Sequence, residues 1–160
     1  MNILGIQYNI NQNALEIYVS GCVGNPYHCK GCFSPETWDF NQGTPYSEVL
    51  EGDIRNQISL FNDMIDKIML FGGEPLDQDI NELINFLVEL KKFDKEVWIF
   101  THYNFDEVKN ILGMNINLCD YIKCGEYDES CKTDDNIQYG IKLATSNQKV
   151  YKRDIFGNWQ

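Results

Sequence analysis

The chain predicts an α/β fold built on parallel strands. Three observations carry that reading. Short apolar runs over residues 14–20, 67–71 and 96–101 have strand composition. The stretches between them carry apolar residues at steps of three and four. No internal repeat, low-complexity tract or linker interrupts the alternation. Strand and helix in alternation imply parallel pairing through right-handed crossovers.

Residues 14–20 alternate, with Leu15, Ile17 and Val19 on one side and Glu16 and Tyr18 on the other. Gly21 ends the strand, so Cys22, Cys29 and Cys32 follow at its C-terminal edge, where ligands gather in open α/β sheets and barrels. From Pro45 to about Ile68 the spacing of Leu50, Ile54, Ile58, Phe61, Ile65 and Ile68 predicts an amphipathic helix, weakened at Gly52. Residues 67–71 read as a buried strand closed by Gly72 and Gly73. A second helix begins near Asp77 or Asp79 and turns Ile80, Leu83, Ile84, Leu87 and Leu90 to one face. Residues 96–101 form the next strand, and Phe105, Val108, Ile111 and Leu112 mark a third helix ending at Gly113. Tyr121 to Lys123 and Val150 with Tyr151 supply further strand segments. Residues 126–136 are polar and turn-rich, hence a loop.

At 160 residues, with 43% hydrophobic and 23% charged, the chain suits one globular domain spanning residues 1–160. A formal charge of −11 argues against a nucleic-acid footprint. No run approaches the roughly 18 apolar residues of a membrane span. The first residues lack the basic and apolar regions of a leader, so a cytoplasmic protein is expected. In a reducing compartment six cysteines point to metal binding or catalysis before disulfides.

Three thiolates from one short loop can hold three irons of a 4Fe–4S cluster and leave the fourth iron without a protein ligand. Downstream, the glycines of Gly72-Gly73-Glu74 let backbone carbonyls come close to a ligand, and the adjacent carboxylate favours an ammonium. Together these suggest a cluster that activates a small bound zwitterion. Other readings stay open. Cys29-Lys30-Gly31-Cys32 fits a zinc half-site that Cys119, Cys124 or His28 would complete. Gly72-Gly73 fits a tight turn, and Glu74 a loop acid. Cys119, Cys124 and Cys131 fit an auxiliary cluster or structural thiols, the positions of Cys119 and Cys124 around a strand favouring buried thiols. Trp38, Trp98 and Trp159 read as packing residues.

The order of these elements resembles the radical S-adenosylmethionine (SAM) superfamily. The strand entering Ser20-Gly21-Cys22, the Cys-Lys-Gly-Cys-Phe-Ser stretch with Thr37-Trp38 after it, Phe71-Gly72-Gly73-Glu74-Pro75 and Thr101-His102-Tyr103 carry the likeness. Within the superfamily the chain is most similar to the activating proteins of anaerobic ribonucleoside-triphosphate reductase, a likeness that extends to Ser146-Asn147-Gln148. Gly31 before the last cysteine is typical of those activators. Six residues between Cys22 and Cys29 depart from the common Cys-x3-Cys-x2-Cys spacing, at little cost in closure entropy.

The resemblance implies a partial (β/α) barrel with parallel strands and helices outside. It implies that Cys22, Cys29 and Cys32 ligate a 4Fe–4S cluster whose open iron binds the amino and carboxylate groups of SAM. Gly72, Gly73 and Glu74 would approach the methionine amino group, Phe33 or Tyr27 the adenine, and His102 the ribose, although His102 also suits a hydrogen-bonded structural role. Reductive cleavage of SAM would yield a 5′-deoxyadenosyl radical that makes a glycyl radical on a partner. That partner would be the anaerobic reductase or another glycyl-radical protein, with flavodoxin or a similar donor supplying the electron. Two rivals share part of this reading: a radical SAM enzyme acting on a small molecule or peptide, and a non-catalytic iron–sulfur or zinc module.

Overall fold

A computed structural model of the protein describes residues 1–24 and 28–160. Its strands are β1 (Asn2–Asn9), β2 (Ala14–Val19), β3 (Thr44–Pro45), β4 (Lys67–Gly72), β5 (Glu96–Phe100), β6 (Tyr121–Cys124), β7 (Ile137–Gln138), β8 (Ile141–Lys142) and β9 (Lys149–Lys152). Its α-helices are α1 (Tyr46–Val49), α2 (Arg55–Phe61), α3 (Ile80–Lys91) and α4 (Phe105–Leu112). Among the described residues seven strands form one sheet in the order β3-β1-β2-β4-β5-β6-β9, and β7 and β8 form a separate hairpin. The pairs β2–β4, β4–β5 and β5–β6 are parallel, as the alternation of elements predicts. Both flanks are antiparallel: β1 pairs with β2 and β3, and β6 with β9. The fold is therefore mixed α/β with a mostly parallel centre, and no pairing among the described residues joins β3 to β9 into a closed barrel.

The pleat sorts side chains between two faces. Leu15, Ile17, Val19, Ile68, Leu70, Val97, Ile99 and Ile122 share one core with Leu50, Ile54, Ile58, Leu83, Phe86, Leu87, Leu90, Val108 and Leu112 of the helical segments. Ala14, Met69, Trp98, Tyr121 and Val150 point the other way, onto Ile141 and Leu143 of the hairpin region. The helices thus cover one face, and the hairpin covers part of the other.

Local chemistry explains the departures from the sequence pattern. The predicted helix over 45–68 instead opens into a π-helical turn at Leu50–Ile54, around Gly52, and stops at Phe61. A 3-10 turn over Asn62–Met64 follows, and Lys95 Nζ donates at 2.8 Å to the Asn62 carbonyl, which also accepts from Ile65 N. Ile65 and Ile68 are fully buried beyond the helix, Ile68 within β4. The strand β1 escapes the alternation test because its register with β2 shifts between Ile3 and Gly5. Its turn to β2 is held by Asn9 Oδ1, which accepts from Asn11 N and Gln12 N, and by Asn13 at φ 48°. The second predicted helix starts at Asp79, whose side chain caps Asn81 N and Glu82 N. The capping box of Asn104 with Glu107 opens α4. No helix among the described residues is long and apolar enough to cross a membrane.

Phe86 is fully buried between α3 and the sheet, whereas Leu60 on α2 is 74% exposed. Phe86→Ala should lower unfolding free energy in urea by about 3–5 kcal/mol through lost burial and a residual cavity. Leu60→Ala should change it by no more than about 0.5 kcal/mol in the same titration.

Candidate functional site

The C-terminal ends of β2, β4, β5 and β6 surround a cavity of about 870 Å³, measured out to its open mouth. Phe71, Phe100 and Lys123, which alternate away from the helix-covered face, line it together with Ala144 and Gln148 from the region before β9. Cys22, Cys29, Cys32, Phe33, Gly72, Gly73, Glu74 and His102 line it as well, whereas His28, Cys119, Cys124 and Cys131, weighed as other metal ligands, do not. Residues 22 and 102, eighty positions apart in sequence, are brought together because β2 and β5 flank β4.

The seam between β2 and β4 sets this geometry. A Cβ on Gly72 would lie 2.2 Å from the Val19 carbonyl oxygen, and one on Gly73 would lie 2.1 Å from that of Gly21. Gly72 also has φ +112°, which a side chain disfavours. The closeness allows Gly73 N to donate to Val19 O at 2.9 Å and Glu74 N to Gly21 O at 2.7 Å. Gln78, itself buried, spreads its Nε2 over the carbonyls of Ser20, Gly21 and Glu74 at 2.9, 3.2 and 3.1 Å. Cys22 N donates to Trp38 O at 3.2 Å, and Val23 N to Asp77 Oδ2 at 2.6 Å, while Asp77 Oδ1 accepts from Tyr103 OH at 2.6 Å. Cys29 and Cys32 belong to one turn, closed by Cys32 N on Cys29 O at 3.1 Å with Gly31 at φ +79°.

Glu74 is 1% exposed and both carboxylate oxygens are engaged. Oε1 accepts from Leu76 N at 3.0 Å, and Oε2 from His102 N and His102 Nδ1, each at 2.8 Å. His102 Nε2 is buried without a hydrogen-bond partner. Burial, the largest influence on this imidazole, works to lower its pKa, but contact with Cys22 and Glu74 outweighs it and raises the value to about 10. His102 is thus anchored to Glu74 and also stacks on Tyr103 with ring centroids 4.3 Å apart. Phe33 is 75% exposed at the mouth, edge-on to Tyr127 at 5.3 Å. Tyr27 lies outside the described residues. Trp38, read from sequence as packing, also lines the cavity, whereas Trp98 is buried in the second core and Trp159 packs near Phe105.

Three cavity or support residues were given no site role from the sequence, although Gln148 lies in the stretch that carries the family likeness. Gln78 looks like any helix-flanking amide. Gln148 accepts from Ala144 N at 3.1 Å and turns the loop before β9 toward the cavity. Lys123 could have been noticed, since alternation places it on the same face as Tyr121, away from Ile122. Its Nζ donates to Gly125 O at 2.6 Å, and burial lowers its pKa to about 8, against the raising influence of Glu74, Cys124 and Cys29.

The donor set fits an iron–sulfur cluster. Three half-buried cysteine side chains line one cavity wall. Among the described residues no three His, Cys, Asp or Glu side chains gather around a point as a single metal ion requires. A cuboidal cluster makes no such demand, because each iron takes one thiolate. Cys119 and Cys124, which a zinc site would need as a second pair, lie buried in the helix-side core instead. The family profile described as the 4Fe-4S single cluster domain matches residues 13–151. The chain belongs to this family. It is 28% identical over 138 residues to the anaerobic ribonucleoside-triphosphate reductase-activating protein of Escherichia coli K12, covering 84% of this chain and 85% of that one. The protein of the same name from Haemophilus influenzae is 32% identical over 95 residues, covering 58% of this chain and 59% of the relative. That of Enterobacteria phage T4 is 27% identical over 120 residues, covering 73% and 72%.

Because the Lys123 pKa falls from 10.5 to about 8 on folding, the unfolded chain holds more protons there between those pH values. The full penalty of burying the ammonium applies below about pH 8 and is relieved as pH rises toward 10.5. In metal-free protein, the stability of wild type relative to Lys123→Met should therefore rise across that window, as urea titrations at successive pH values would show.

Proposed function

We propose that the protein is the activating enzyme of an anaerobic ribonucleoside-triphosphate reductase, a radical SAM iron–sulfur oxidoreductase. The reading rests chiefly on one observation: three cysteines and a glycine-lined strand end share a single cavity in a chain of the 4Fe–4S single cluster family. Relatives named as activators of that reductase, matched over most of their length, support the same partner. Bound in this cavity, a reduced cluster would supply the electron that splits SAM into methionine and a 5′-deoxyadenosyl radical, which makes the glycyl radical on the partner.

In this reading Cys22, Cys29 and Cys32 hold the cluster and leave one iron open. The backbone of Gly72 and Gly73 receives the methionine amino group. Glu74, its oxygens already engaged, acts on that ammonium through its charge. Phe33 and His102 border the adenosine end. The protein orients SAM and keeps water from the reacting atoms, while the cofactor carries the chemistry. We take the chain as one domain over residues 1–160, its sheet and one-sided helices as a partial (β/α) barrel, its site of action as the cytoplasm, and flavodoxin or a similar protein as electron donor.

Anaerobically reconstituted protein given dithionite and SAM should release 5′-deoxyadenosine, measured by chromatography. A variant with Cys22, Cys29 and Cys32 all changed to alanine should hold no iron and release none. Adding the reductase should produce a glycine-centred doublet by electron paramagnetic resonance. Wild-type protein that carries a cluster yet leaves SAM intact overturns the proposal. Deoxyadenosine without the doublet points to a small-molecule or peptide substrate.

A further inference from the structure

His28, the residue before the second cysteine, reaches back to the first. His28 Nε2 lies 2.9 Å from the Cys22 carbonyl oxygen. A carbonyl only accepts, so Nε2 bears the proton. The imidazole lies flat on the Trp38 indole, centroids 3.8 Å apart and planes 15° apart. Trp38 in turn accepts the Cys22 N–H on its own carbonyl at 3.2 Å. Cys22, Trp38 and His28 thus form a closed ring of contacts: backbone to backbone, ring on ring, and ring nitrogen to backbone. Gly24, at φ +64°, gives way to this arrangement, since a Cβ there would come within 2.7 Å of the His28 ring and its backbone nitrogen.

We propose that His28 is a positioning residue that latches Cys29 to Cys22 and Trp38, fixing the Cys29 thiol relative to that of Cys22 so that both serve one cluster. The proposal rests on the reading of Cys22, Cys29 and Cys32 as iron ligands. While the latch is made, His28 Nε2 is committed to a carbonyl and is not free to bind a metal. The chemistry asks for two properties in this side chain, an N–H at the ring tip and a flat face for the indole. Phenylalanine keeps only the face, and glutamine keeps only the donor.

Reconstituted wild-type, His28→Phe and His28→Gln proteins, each checked for folding by circular dichroism, are challenged with excess iron chelator under anaerobic conditions. His28→Phe should release iron about fivefold faster, the ratio matching about 1 kcal/mol for one lost hydrogen bond at 1.4 kcal/mol per decade. The electron paramagnetic resonance spectrum of its reduced cluster should shift, and His28→Gln should restore both readouts toward wild type. Wild-type release and spectrum in His28→Phe, or no rescue by glutamine, overturns the latch. Should His28→Phe fail to take up a cluster, the metal-free chains still decide. A short bis-alkylating reagent should join Cys22 to Cys29 in lower yield in His28→Phe than in wild type, located by peptide mass mapping, and equal yields overturn the proposal. Wild-type protein that keeps its cluster but leaves SAM intact defeats the activase reading and leaves the latch standing.

Discussion

The cavity depends on how closely two backbones approach where β2 and β4 end. At Gly72 and Gly73 the neighbouring carbonyls of Val19 and Gly21 occupy the space a side chain would need. Any larger residue would push the two strands apart and break the hydrogen bonds from Gly73 N and Glu74 N. Because Cys22 directly follows Gly21, the same seam sets where the first thiol stands relative to the acid of Glu74. Gln78 reinforces it with a single amide nitrogen shared among three carbonyls. The carbonyls of Gly21 and Glu74 also accept from Glu74 N and Asp77 N, so the amide adds a second bond to each of them.

The pleat then divides the six cysteines by position alone. Cys22, Cys29 and Cys32 follow the end of β2 and reach the open cavity. Cys124 alternates with Lys123 and falls on the helix side, next to Ile122 in the apolar core. Burial raises the thiols of Cys119 and Cys124 to about 12, so neither readily becomes the thiolate that a metal takes. Cys131 stands apart in the 126–136 loop, its Sγ 3.6 Å from Asp128 Oδ2. One sequence feature, six cysteines, thus resolves into a trio lining the cavity, two packing residues and one loop thiol.

The parallel centre and the cysteine loop were legible because each is local: apolar runs that end in glycine, and three thiols within eleven residues. The antiparallel flank was not. The bulge in β1 moves its apolar residues out of strict alternation, and nothing in β9 distinguishes antiparallel from parallel pairing. The helix boundary at Phe61 was hidden because Ile65 and Ile68 keep the helical spacing while serving the next strand. At the site, ligand types announced themselves, but supports did not. Gln78 acts through amide hydrogen bonds to backbone and looks in sequence like a solvent-facing residue, while Gln148 was marked by the family likeness but not by any role. Glu74 was recognised, but its hold on His102 Nδ1 joins loops after β4 and β5 and becomes visible only in three dimensions.

An acidic chain that buries a carboxylate such as Glu74 beside a cavity needs positive charge close by, since the cost of an unpaired charge grows as water is excluded. The chain supplies it from two different strands. Lys123 on β6 sets an ammonium against Gly125 O, on the cavity side of the sheet. His102, just beyond β5, sits between Glu74 and the Cys22 side, where two negative partners favour its charged form. The net charge of −11 is therefore a property of the outer surface and not of the cavity wall. Parallel pairing of β4, β5 and β6 brings these groups to one edge, so the topology that assembles the cysteines also delivers two nitrogen bases to the same cavity.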